Sequence, residues 1–166
     1  MDPDEDGAMV HRSSQVDADG ALDVRLPPLE LLPLTPELLR SAFDAAGIRY
    51  RVVVVSACRA GAFLDELADD DTAVIVASAS DRDAPGCAPG REGVAFGDAF
   101  FRQGMATSAG IADAFDVARQ SVADAEHGVP GAAASDPRLR VGPGIAAKLS
   151  ELARRGGTAQ THARRP

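Results

Sequence analysis

Cys58 is the residue of this chain best placed to do chemistry. It closes the run Arg51-Val52-Val53-Val54-Val55-Ser56-Ala57-Cys58, and Arg59-Ala60-Gly61 follows at once. Four consecutive β-branched residues read as a strand buried on both faces, ending in a small pair and then a thiol. A glycine-containing turn comes next, then the helix-forming stretch 62–68. Open α/β sheets put their reactive groups at the carboxyl ends of central parallel strands, which is where this order sets Cys58. A cysteine there suits acyl transfer, because its thiolate is intrinsically nucleophilic and an adjacent base activates it. The competing reading of Cys58 is a small buried hydrophobe.

The other reactive side chains are sparse. There are 3 histidines and 2 cysteines. His11 follows Ala8-Met9-Val10, as at the end of a short strand. His127-Gly128 reads as the exit of a helix, and His162 falls near the chain's end. Neither Cys58 nor Cys87 has a second cysteine at metal-ligand spacing, so no metal site is expected, and the pair makes little case for a disulfide. Cys87 reads as an oxidisable loop thiol with no assigned role. Gly86, Gly90 and Gly93 lack the Lys-Ser/Thr of a phosphate-binding loop. With no cofactor motif in view, none is expected, and a small-molecule α/β enzyme has nothing to stand on.

The elements that must position Cys58 can be read along the chain. Residues 8–14 are a strand candidate, and 16–34 a loop or small ribbon carrying Pro27, Pro28 and Pro33. Thr35-Pro36-Glu37 opens a helix, with threonine as cap and proline at the first helical position. Leu38, Leu39, Ala42, Phe43 and Ala46 share a face, and Gly47 ends it. After the strand 51–57 and the helix 62–68, the acidic turn Asp69-Asp70-Asp71 reads as solvated and leads into a second strand, 72–77. A polar Gly/Pro-rich loop spans 80–94. Helices are expected at 95–106 and 110–126, the second with Ile111, Phe115, Ala118 and Val122 as its apolar stripe. A loop at 128–137, a short strand at 139–141 and a last helix at 144–155 complete the pattern. Such alternation makes an α/β fold with a mostly parallel sheet and helices on both faces. Residues 1–155 read as one domain, and 156–166 as a mobile basic tail.

Composition narrows the function. The 166 residues suffice for one α/β domain with a real core, and hydrophobic residues at 45% exclude a disordered chain. Aromatics at 4% leave Val, Leu, Ile and Ala to build that core. A net charge of −8 argues against nucleic acid, whose phosphates need a basic surface. No apolar run approaches the ~18 residues of a membrane span. The start, Met1-Asp2-Pro3-Asp4-Glu5-Asp6, is acidic where a signal peptide would be basic. As written, the chain reads as cytoplasmic, while a longer native chain could carry a signal or membrane segment. Its oligomeric state cannot be read.

Val53-Val54-Val55-Ser56-Ala57-Cys58-Arg59-Ala60-Gly61 resembles the nucleophile strand of the legumain (haemoglobinase) family of cysteine peptidases, in its bacterial branch. It is also similar to the Gln-Ala-Cys-x-Gly box of the caspases, which share the fold. The likeness extends through Pro27–Pro36, Val74–Ser78, the loop to Gly86-Cys87, Phe96-Gly97-Asp98-Ala99, and Asp136-Pro137 through Val141-Gly142. It covers most of residues 1–155. The resemblance implies a partial caspase-like three-layer sandwich and a cysteine endopeptidase that cleaves peptide or protein substrates through a thioester on Cys58. It also carries Ser56 and Asp98 into the first substrate pocket, with Ala84 where a hydroxyl is often found. The competing readings are a packed strand residue for Ser56 and a helix N-terminal carboxylate for Asp98.

Two departures qualify that expectation. The family pattern has Ser-His-Gly at the end of the preceding strand; here its histidine falls on Gln15 and its glycine on Val16. An amide does not titrate near neutral pH, so Gln15 cannot take and return a proton, although Val16 could still present an oxyanion N–H. His11 is the substitute base, since it precedes Cys58 at close to the ~50-residue spacing of caspases. If the strand runs on through Ser14 at about 3.3 Å per residue, His11 lies about 13 Å from position 15, and it then reads as a surface-strand residue. The second departure is length: relatives of this fold have two strands before the histidine strand. The chain therefore reads as a fragment, a mis-started reading frame or a true remnant. The expected function is an impaired peptidase, and the alternative is an inactive peptide- or protein-binding module.

Overall fold

The computed structural model describes residues 16–23, 28–29, 31–83, 96–127 and 133–162. The strand candidate at 8–14, with His11, and Gln15, Ala84 and Cys87 lie outside these.

Helix α1 (Pro36–Ala45) begins as its sequence dictates. Thr35 is extended, and its Oγ1 accepts the Leu38 N–H at 3.1 Å, satisfying a donor that the first turn leaves open. The helix stops at Gly47, whose φ of +67° is left-handed and whose N–H donates to Asp44 O. Leu39 and Phe43 are half-buried on the core. Leu38 is 50% exposed, so the apolar stripe is narrower than the periodicity suggests.

Strands β1 (Arg51–Val55) and β2 (Thr72–Val76) pair in parallel, with Val53 opposite Val74 and Val55 opposite Val76. Helix α2 (Ala62–Leu67) makes the crossover between them. Strand β3 (Arg138–Val141) joins the far side of β2 antiparallel, with Ile75 opposite Leu139. The sheet is thus small and mixed, of order β1-β2-β3, with β2 buried along its whole length.

Strand alternation then divides the core in two. Val53, Val55, Val74 and Val76 face one side, where Phe63, Leu64 and Leu67 of α2 and the outlying Val16 cover them. Ile75, Ala77 and Val54 face the other, against Phe96, Phe100 and the Phe115, Ala118 and Val122 stripe of α5 (Ile111–His127). The result is the expected α/β architecture with helices on both faces, in keeping with a partial caspase-like fold. The core is less purely aliphatic than composition implies. Phe96 lies 6.1 Å from Phe100 and 6.2 Å from Phe115, because a seam between helix and sheet needs side chains of large volume.

The segment read as one helix at 95–106 has three parts: α3 (Phe96–Asp98), a π-helical stretch (Ala99–Gly104) and α4 (Met105–Thr107). Gly104 lies so close to Ala114 O of α5 that any Cβ would collide with it. Helix α6 (Pro143–His162) runs on past residue 155. Its start is anchored by Asp70 O, which accepts N–H bonds from Gly144 at 2.7 Å and Ile145 at 3.0 Å. The acidic turn is therefore more than a solvated link. Asp71 also meets Arg49 at 2.7 Å, and Asp69 meets Arg40 at 3.4 Å and Arg51 at 3.8 Å. Where a loop or small ribbon is expected at 16–34, the described residues are bridged at Val16–Leu22 and Leu22–Leu34. Among the described residues no helix is long and apolar enough to cross a membrane.

Candidate active site

The site is built on the exit of β1. Ala57 and Cys58 are buried, and Cys58 has no exposed surface. Its sulfur is disulfide-bonded, which corrects the expectation of an unbridged thiol. The reason the sequence hid this is geometric: bridging needs two Cα atoms within about 7 Å, a condition set by the fold and not by spacing along the chain.

The turn after Cys58 is strained and closely held. Arg59 has a φ of +58°, a left-handed conformation that costs a non-glycine residue about 1–3 kcal/mol. Its N–H donates to Arg82 O at 2.9 Å, and its Nε reaches Asp83 Oδ1 at 3.3 Å. Gly61 is the next constraint. A Cβ there would run into the backbone of Ala79 and Ser80, so only glycine lets this turn lie against the exit of β2. The wholly buried Ser78 completes the arrangement. Its Oγ donates to Ala57 O at 3.1 Å and accepts from Ala60 N at 3.3 Å. Sequence reasoning missed both Ser78 and the Arg59 strain, since a serine after a strand and an arginine in a turn carry no local signal.

Val16 is drawn against Cys58. It is 1% exposed, and its N–H donates to Cys58 O at 3.0 Å. The amide that the family pattern offered as an oxyanion donor is thus committed to the Cys58 carbonyl.

Ser56 and the Asp98 segment are also brought together. The exposed Ser56 hydroxyl accepts the Gly97 N–H at 3.1 Å, pinning the start of α3 to the end of β1. The Asp98 side chain is 65% exposed and pairs with Arg102 at 3.2 Å. An i,i+4 pair this exposed contributes only about 0–1 kcal/mol, so it leaves the carboxylate open to a competing cation. His127 is exposed at the end of α5 with Nδ1 2.6 Å from Ala123 O, a helix-end contact as expected. Among the described residues no group of three or more His, Cys, Asp or Glu is arranged to hold a metal ion.

The arrangement can present a sulfur, once reduced, beyond the carboxyl end of a parallel strand buried on one face and partly exposed on the other, with a pinned α3 beside it. That is a placement for acyl transfer. A family model described as the Peptidase C13 family matches residues 14–141. No curated protein and no solved structure matches the chain.

Proposed function

Because the chain belongs to the peptidase C13 family, the legumain-type cysteine peptidases, we propose that reduced Cys58 hydrolyses peptide bonds through a thioester, at a rate lowered by Gln15. The sulfur adds to the substrate carbonyl, the C–N bond breaks, and the amine leaves with a proton. Water then hydrolyses the thioester and returns the thiol. A positioned acid–base group contributes about 10²–10⁴ to such a reaction, which is the share a glutamine forfeits.

The observation that carries this reading is the Val16 N–H bond to Cys58 O. It supports the alignment in which position 15, next to Val16 along the chain, is the seat of the family's base. His11 is four residues further back, and it serves only if the intervening chain doubles toward the site. Ser56 and Asp98 are the proposed contacts to the substrate residue before the scissile bond, Ser56 through its hold on Gly97 and Asp98 through its open carboxylate. The substrate is a peptide or protein. Active-site labelling of the reduced protein tests the proposal.

A second reading, a non-catalytic peptide-binding module, is favoured by one observation. Cys58 is buried and already bridged, so as folded it offers no reactive thiol.

A further inference from the structure

Phe101 is the exception among the six phenylalanines. The other five are buried or half-buried, whereas Phe101 is 57% exposed. The fold gains little from its ring, since an apolar side chain stabilises by the area it takes out of water. The ring is nonetheless firmly presented. It stands edge-on to the buried Phe100, with centroids 5.0 Å apart and planes at 86°.

The π-helical stretch decides what stands beside it. The Met105 N–H donates to Phe100 O, five residues back, and this wider turn keeps residues four apart in line. Phe96, Phe100 and Gly104 make the buried row. Asp98 and Arg102, ion-paired at 3.2 Å, make an exposed one. Gly97, Phe101 and Met105 form the row between them. That row starts at the exit of β1, where the Gly97 N–H donates to Ser56 Oγ at 3.1 Å and a Cβ on Gly97 would press on the same hydroxyl. Along it the chain offers first no side chain, then an aromatic ring, then the adaptable thioether of Met105, 44% exposed.

We infer, on the peptidase reading, that Phe101 with Met105 is an apolar subsite for the peptide substrate. It takes a large apolar side chain two residues before the one that Asp98 is proposed to contact. The spacing suits an extended peptide, whose side chains recur on one side at every second residue, about 6–7 Å apart. Phe101 lies three residues beyond Asp98, roughly 5 Å along the helix axis. On that reading Ser56 and Asp98 hold the acyl part of the substrate and the amine leaves beyond the sulfur, so a row departing from Ser56 follows the acyl part. A ring already held by Phe100 loses little freedom on contact, so its burial against substrate yields affinity. A second copy of the chain is the less fitting occupant, because a self-contact has no reason to begin at the exit of β1.

The test labels reduced protein with tripeptides Xaa-Ala-Lys that end in an acyloxymethyl ketone, lysine matching the Asp98 carboxylate and Xaa being Phe, Leu, Ser or Asp. Half-saturating concentration and maximal rate are read from the mass of the peptide containing Cys58, with iodoacetamide alkylation alongside. In the unaltered protein the Phe and Leu reagents half-saturate at roughly tenfold lower concentration than the Ser reagent, at a common maximal rate. Phe101→Ala abolishes that difference while iodoacetamide reacts as before, and Phe101→Leu keeps most of it. Saturable labelling with no preference for Phe or Leu overturns the inference and leaves the peptidase reading standing. A preference that survives in Phe101→Ala overturns it too, as does a parallel fall in alkylation, which marks a general loosening. Alkylation without saturable labelling by any of the four reagents defeats the peptidase reading and the subsite with it. A dimer in sedimentation that Phe101→Ala dissociates would make the row a contact between copies of this chain and overturn the subsite.

Discussion

The Val16 amide donates to the Cys58 carbonyl at 3.0 Å, tying the start of the described chain to the exit of β1. In the proposed reading, the bond marks position 15, next to Val16 along the chain, as the seat of the family's histidine. It also removes the Val16 N–H from any part in stabilising an oxyanion. Both halves of the proposed impairment, a base that cannot titrate and a donor already spent, meet at these two neighbouring positions.

Restoring the base should restore turnover. Gln15→His is expected to raise kcat/KM on a fluorogenic peptide by roughly 10² or more, and to add a limb to the pH profile near the histidine pKa of about 6.5. His11→Ala leaves the rate unaltered. A loss of activity in His11→Ala would move the base from position 15 to His11.

Reduction should precede reactivity. Because Cys58 is disulfide-bonded, the oxidised protein takes up no iodoacetamide at this position and the reduced protein does, read as the mass of the peptide containing Cys58. Uptake at Cys58 without reductant would show that the bridged form is not the resting one.

The nucleophile turn should tolerate no side chain at Gly61. Gly61→Ala sets a Cβ against the backbone of Ala79 and Ser80, and backbone cannot swing aside as a side-chain tip can. The expected cost is about 1–3 kcal/mol in urea unfolding, the usual range for overpacking. Gly110→Ala, whose Cβ would meet nothing within 4 Å, changes stability by less than about 1 kcal/mol.

Much of this architecture could be read from residue types. Thr35 and Pro36 announce a helix start, and a run of four valines announces a strand; the expectation that it is buried on both faces fails, since Val53 and Val55 are buried but Val52 is 43% exposed. The fold shows why the remainder was hidden. Arginine is not a left-handed residue by habit, and the bonds that hold Arg59 there, to Arg82 and Asp83, come from residues distant in sequence. Ser78 is held by Ala57 and Ala60 on the neighbouring strand's exit, residues about twenty positions away. The acidic turn looked solvated because its partners, Arg40, Arg49, Arg51 and the start of α6, come from three other segments. The place of Cys58 just beyond a strand was legible from the β-branched run before it; the bridge on its sulfur depends on folded distances.

Acid should weaken the acidic turn. Burial pushes the Asp69 carboxyl up, but the Thr72 hydroxyl, the Asp71 amide and the Arg51 and Arg40 charges outweigh it and hold the group below its ordinary 3.8. The Thr72 hydroxyl does this from nearby, without a hydrogen bond of good geometry. A depressed carboxylate stabilises the fold above its unfolded pKa and loses that contribution as pH falls through the folded one. Asp69→Asn is thus less stable than the unaltered protein at pH 7, by less than about 1 kcal/mol since the groups keep part of their water. The gap, followed by urea unfolding across pH, narrows as pH drops from 3.8 through the lower folded value. A gap that widened in acid would contradict the assignment.

The central claim, a nucleophile in place with its base lost, is tested most directly by labelling reduced protein with a peptidyl electrophile. The account predicts saturable, Cys58-specific labelling that is slow in the unaltered protein, faster in Gln15→His and absent in Cys58→Ala. Labelling no faster than that of a free thiol in both the unaltered protein and Gln15→His would contradict it, and would leave the chain as a binding module on a peptidase fold.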